Sequence, residues 1–156
     1  MNDLKDNPSS HRYLSYTDGI ATAWWDFLLL LARVLAGWIF LQSGWSKLGN
    51  IPGFATRLVS RGVPEFLAYI APFVEFLGGL GLVLGVATRY SALLLILFTI
   101  AATWTSHAFW TFPEAERGRQ FTQFWKNVSM IGGLLALFAA AGGRFSLDRL
   151  LRRSTG

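Results

Sequence analysis

Four apolar stretches, residues 27–45, 65–87, 91–110 and 125–141, each approach or reach the roughly 20 residues needed to cross the hydrocarbon of a bilayer. A chain of 156 residues has room for these runs, their connections and little else. Composition agrees: 53% of the residues are hydrophobic and 15% charged, whereas soluble domains carry roughly 25% charged residues. The absence of cysteine excludes disulfides, thiolate metal sites and cysteine catalysis. The net charge of +5 is not clustered among polar readers of nucleic acid; the arginines flank the apolar runs, which is membrane anchoring.

The ends of the runs carry interfacial and helix-boundary signals. Trp24 and Trp25 precede the first, and Trp45 and Lys47 close it. Pro64-Glu65 opens the second, and Thr88-Arg89-Tyr90 is so short a link that the second and third must form an antiparallel hairpin. After Pro113 comes a polar connection, "PEAERGRQFTQ", and Trp125-Lys126 opens the fourth run. Residues 50–63, "NIPGFATRLVSRGV", are too polar to cross and are expected to lie at the interface. Residues 1–23 read as a polar arm without the apolar core of a signal peptide, residues 24–148 as the membrane domain, and residues 149–156 as a basic tail. The expected fold is all-α, a four-helix transmembrane bundle in up-down-up-down order. An even number of spans puts both termini on one side, together with Lys5, Arg12, Arg89, Arg144, Arg149, Arg152 and Arg153. Opposite them lie Lys47, Arg57, Arg61, Arg117, Arg119 and Lys126, and this small excess, with the dense C-terminal cluster, favours cytoplasmic termini. "FLGGLGLVLGVATRYS" and "MIGGLLALFAAAGGRFS" share a glycine pair, an apolar run and an Arg-aromatic-Ser unit, which raises the alternatives of two repeated helical hairpins or chance similarity.

Polar residues inside apolar runs are the functional candidates, because a charge at the centre of a membrane helix costs roughly 2.5–3.5 kcal/mol and normally faces a partner or a cavity. Helical spacing puts Arg33, Gly37, Phe40, Gly44 and Lys47 on one stripe, and Ala68, Pro72, Glu75, Gly78 and Gly79 on another. Small residues allow close helix approach, so Arg33 and Glu75 are both expected to point inward and form a buried ion pair. That pair is either structural or part of a ligand pocket. His107, near the end of the third run, is either a hydrogen-bonded structural residue or a pocket residue. Lys47 and Lys126 either snorkel or join it. Together Lys47, His107, Lys126 and Asn127 are expected to ring the mouth of a pocket whose floor is Glu75, with Trp104 or Trp110 as an apolar wall. No His/Asp/Glu set has metal-ligand spacing, two axial histidines for a haem are lacking, and the glycines of "GGLGLVLG" lie in an apolar helix rather than a phosphate loop.

These features in order resemble the DoxX family of small four-helix membrane proteins. The resemblance rests on Arg33, "SGWSKL", "GFATRLVSRGVP", "APFVEFLGGLGLVLGVATR", His107, Lys126-Asn127 with Gly132-Gly133, and the terminal "GGRFSLD", and covers residues 27–148. It implies a prokaryotic cytoplasmic membrane and quinone-linked redox work, or association with a respiratory or dehydrogenase membrane complex. The chain itself carries no flavin motif or metal set, so the cofactor expected is a membrane quinone or one held by a partner subunit. The leading expectation is therefore a quinone-interacting subunit of a membrane oxidoreductase. The alternatives are a non-catalytic accessory or assembly subunit and a binder of a small molecule or lipid.

Overall fold

The computed structural model describes residues 10–154, with side chains described over residues 16–151. Every regular element among them is helical: α1 (Ser10–Ala23), α2 (Trp25–Leu48), α3 (Ile51–Val59), α4 (Glu65–Leu84), α5 (Thr88–Ser106), a 3₁₀ turn at Phe109–Thr111, α6 (Glu114–Ala140) and α7 (Leu147–Ser154). Three helical segments are long and apolar enough to cross a membrane: α2, α4, and α5 extended through the 3₁₀ turn to Thr111. The fourth expected span is the second half of α6, whose first half is polar.

The stretches read as a polar arm and as a polar connection are helical where described. The polar arm forms α1 from Ser10 onward, while residues 1–9 lie outside the described residues. The polar connection after Pro113 is the first half of α6, because Pro113 fixes an extended entry and Glu114 and Glu116 sit in the first turn, where carboxylates oppose the helix dipole. At 27 residues α6 is about 40 Å long, longer than the hydrocarbon is thick. The interfacial stretch forms α3, with the Asn50 side chain accepting from the Gly53 N–H at 3.0 Å and Pro52 in its first turn.

Helices α2, α4, α5 and α6 pack in a ring, each on the next and α6 back on α2. Between membrane helices the solvent is as apolar as leucine, so close packing and polar contacts do the holding. In α2 the buried residues are Leu29, Arg33, Gly37, Phe40 and Gly44; in α4 they are Ala68, Pro72, Glu75, Gly78, Gly79 and Leu82. The two stripes meet antiparallel. A Cβ on Gly44 would lie 2.7 Å from the Phe76 Cα, and one on Gly79 would lie 2.6 Å from the Leu41 backbone nitrogen, so only glycine permits this approach. Leu82, Leu95 and Leu134 form the sealed centre of the core. The two glycine pairs of the repeated pattern differ in role: Gly78 and Gly79 are packed against α5 and α2, whereas Gly132 and Gly133 have open space where a side chain would be.

The end of the bundle where α2 begins is closed by the Gly142–Asp148 segment. Arg33, fully buried, donates from Nη2 to the Phe145 carbonyl at 2.7 Å and from Nη1 to the Leu82 carbonyl at 3.2 Å. Gly85, at φ 70°, lies against the guanidinium, where a Cβ would be 2.1 Å from Nη1. Asp148 caps α5, accepting from the N–H groups of Ala87 and Thr88 at 2.6 and 2.9 Å and from the Thr88 hydroxyl at 2.8 Å. The Arg144 N–H donates to Asp26 at 2.8 Å, tying the same segment to the start of α2.

Candidate functional site

The expected ion pair between Arg33 and Glu75 is replaced by another. Antiparallel packing sets Gly37 beside Gly79 and Gly44 beside Phe76, so Arg33 falls level with Leu82 and Gly85, about two turns of α4 beyond Glu75. The residue of α2 that is level with Glu75 is Lys47, and its ammonium forms an ion pair with Glu75 Oε2. Only 6% of the Glu75 side chain and 25% of the Lys47 side chain are accessible. Helical spacing identified the right stripe on each helix but not the offset between them, which the glycine contacts decide.

This pair lies on the wall of a cavity of about 1010 Å³ between α2, α3, α4, α5 and α6, at the end of the bundle where α2 finishes. Glu75, Lys47, His107, Lys126 and Asn127 all line it. Lys47 also lies over the rings of Phe54 and Phe98, 5.3 and 5.9 Å from their centroids, so the cation is held against apolar walls as well as by the carboxylate. Glu75 Oε1 accepts no hydrogen bond among the described residues and is not sealed from the cavity.

Opposite, α5 and α6 are joined by polar contacts that set the far wall. His107 ends α5 with a Nδ1 to Gln120 Oε1 contact of 2.8 Å. With that oxygen accepting, Nδ1 carries the proton and Nε2 is left as an acceptor in the neutral ring. Asn127 Nδ2 donates to Thr103 Oγ1 at 2.9 Å, and Thr103 and Thr99 each donate to the carbonyl four residues earlier at 2.6 Å. Lys126 is exposed and donates to Gln123.

Trp104 and Trp110 do not line the cavity. They are 68% and 46% exposed, stack edge to face 5.5 Å apart, and continue into Phe109, Phe124, Trp125 and Phe121 as an aromatic belt on the outer surface. In α5, Trp104 is one residue past Thr103, which faces inward, and so turns outward. The apolar wall comes instead from Phe40, Phe54 and Phe98. Phe54 and Arg57 of α3, and Arg61 in the turn after it, also line the cavity, whereas the sequence places this stretch only as an interfacial connection. The amphipathic spacing of Phe54, Leu58 and Arg61 was the available signal. Among the described residues no group of three or more His, Cys, Asp or Glu side chains is arranged to hold a metal ion.

The DoxX family model matches residues 28–108, which contain α2 to α5 except the first three residues of α2. Two Escherichia coli relatives extend the likeness over most of the chain. "Inner membrane protein YqjF" is 34% identical over 128 residues, covering 82% of this chain and 95% of its own length. "Inner membrane protein YphA" is 35% identical over 124 residues, covering 78% of this chain and 89% of its own. A Bacillus subtilis relative named "Putative oxidoreductase CatD" is 38% identical over 73 residues, 47% of this chain and 54% of its own length. No solved structure matches this chain. With its apolar helices and a family match over more than half its length, the chain is a multi-pass helical membrane protein that belongs to the DoxX family.

Proposed function

We propose that the chain is a quinone-interacting subunit of a membrane oxidoreductase system, and that the cavity lined by Lys47, Glu75 and His107 receives the quinone headgroup. The observation that carries this reading is the Lys47–Glu75 pair on the wall of an open, largely apolar cavity. A quinone carbonyl needs a donor, which Lys47 supplies; a quinol hydroxyl needs an acceptor, which Glu75 Oε1 and His107 Nε2 supply. The same walls therefore suit both redox forms of one headgroup, while Phe40, Phe54 and Phe98 exclude water and pack on the ring. The bound quinone supplies the redox chemistry; the protein's residues orient it, exclude water and hold protons at its oxygens. Electrons must come from a partner subunit with a cofactor of its own. The name of the B. subtilis relative supports an oxidoreductase context.

In this reading α6 makes the fourth span, giving an up-down-up-down bundle in the cytoplasmic membrane of a prokaryote with both termini in the cytoplasm. The ring of α2, α4, α5 and α6 supports this arrangement. The test is calorimetric titration of the detergent-purified protein with a short-chain benzoquinone. Saturable binding at one site per chain is expected, with affinity falling roughly 10- to 100-fold in Lys47→Met, as expected for loss of a charged hydrogen-bond donor. Absence of saturable binding would remove the quinone assignment and leave the non-catalytic accessory reading.

A further inference from the structure

The cavity is larger than one headgroup requires, at about 1010 Å³ against the roughly 300–1,000 Å³ of small-molecule sites. Its outer part is lined by cations that the Lys47–Glu75–His107 group does not use. Arg57 lies in the last turn of α3, Ser60 continues the right-handed helical conformation, and Arg61 follows one turn after Arg57 on the same side of the chain. Lys126 lines the cavity from α6. Among the described residues the ion pairs are Lys47–Glu75, Arg119–Glu116 and Arg144–Asp26, so neither Arg57 nor Arg61 has a carboxylate. Lys126 meets only the neutral Gln123. Among the described residues Glu75 is the one carboxylate on the cavity wall, and Lys47 already pairs with it. The mouth thus carries positive charge without a counter-charge.

The apolar side of the cavity is equally informative. Ile39, Ile70, Leu94 and Leu97 line it and are nonetheless 39–58% exposed, so the cavity runs out onto the flank of the bundle at the level of the spans. A soluble anion would use only the cationic mouth. A ligand that uses both parts has an anionic head and a hydrocarbon chain.

We propose that the outer part of the cavity is a binding site for an anionic phospholipid. Arg57, Arg61 and Lys126 hold the headgroup phosphate, and one acyl chain lies along the flank toward Leu97. Cations grouped beside membrane helices attract anionic headgroups in this way, each contributing a few-fold in affinity. The site is independent of the quinone assignment, since it uses none of the residues that meet the quinone headgroup.

The test is native mass spectrometry of the full chain released from detergent, with phosphatidylglycerol, phosphatidylcholine and inorganic phosphate presented separately. Phosphatidylglycerol is expected to be retained in preference to phosphatidylcholine, and the double variant R57Q/R61Q to lower its affinity about 30-fold. R57K/R61K keeps the charge and is expected to keep most of the binding. Equal retention of the two lipids, or unchanged phosphatidylglycerol binding in R57Q/R61Q, overturns the proposal. Displacement of phosphatidylglycerol by millimolar phosphate would assign the mouth to a soluble anion and overturn the lipid assignment. Benzoquinone titration of R57Q/R61Q separates the two sites: its affinity should match that of the unsubstituted protein, whatever happens to the lipid.

Discussion

Lys47, at the last turn of α2, and Glu75, in the middle of α4, neutralise each other inside the bundle, while Arg33 on the same stripe as Lys47 has no ion pair among the described residues and is held by carbonyls. The two cations of α2 thus do different work at opposite ends of the protein. Arg33 closes the end where α2 begins; Lys47 furnishes the wall of the cavity.

Breaking the Lys47–Glu75 pair from one side strands a charge in a poorly hydrated place. Glu75→Leu and Lys47→Met are each expected to cost about 3 kcal/mol, the low end for a buried pair because Lys47 is a quarter accessible. The double variant should recover most of that loss. A thermal-unfolding double-mutant cycle in detergent measures the coupling, and simple additivity would mean that the pair contributes nothing.

Arg33→Lys should destabilise the fold by roughly 2–3 kcal/mol, since a lysine ammonium is a point charge that cannot reproduce the fork reaching the Leu82 and Phe145 carbonyls. Asp148→Asn removes a charged cap from α5 and should cost about 1 kcal/mol. Both changes loosen the same closing segment, so their combined loss in melting experiments should be smaller than the sum. Benzoquinone affinity should be unchanged in each folded variant, because this closure is remote from the cavity.

Much of this arrangement was legible in the residues themselves. Small residues at helical spacing marked the inward stripes of α2 and α4, and Lys47, His107, Lys126 and Asn127 lay at one level because each ends or begins a run near the same face. The offset between α2 and α4 was not legible, for it depends on which glycine meets which backbone, and Arg33 and Lys47, about four turns apart on one stripe, are both placed for Glu75 until that offset is fixed. The direction of Trp104 turns on a single helical step from Thr103, and a tryptophan near a membrane interface suits either side of it.

The glycine pairs offer a direct check on packing. Gly79→Ala should be strongly destabilising, since its Cβ would meet α2 backbone at 2.6 Å. Gly132→Ala and Gly133→Ala meet nothing within 4 Å, and helix propensity should make each stabilising by up to about 1 kcal/mol. Melting temperatures of the three variants distinguish these expectations; a large loss at Gly133 would mean that this face of α6 is covered in the membrane.

Orientation is open to a simple experiment because the chain has no cysteine. Single-cysteine variants at Arg144 and Arg117 sit on opposite ends of the bundle. In intact cells Arg117→Cys should react with an impermeant maleimide and Arg144→Cys should not. The reverse pattern would place the cavity mouth toward the cytoplasm.

Photo-crosslinking decides whether the cavity beside Lys47 and Glu75 receives a quinone. An azidoquinone irradiated with the membrane-embedded protein, followed by peptide mapping, should label the cavity wall around Lys47, Phe54 and Phe98, and excess unmodified quinone should suppress that labelling. Labelling confined to the lipid-facing surface around Leu35 or Leu135, unaffected by competing quinone, would contradict quinone binding in the cavity.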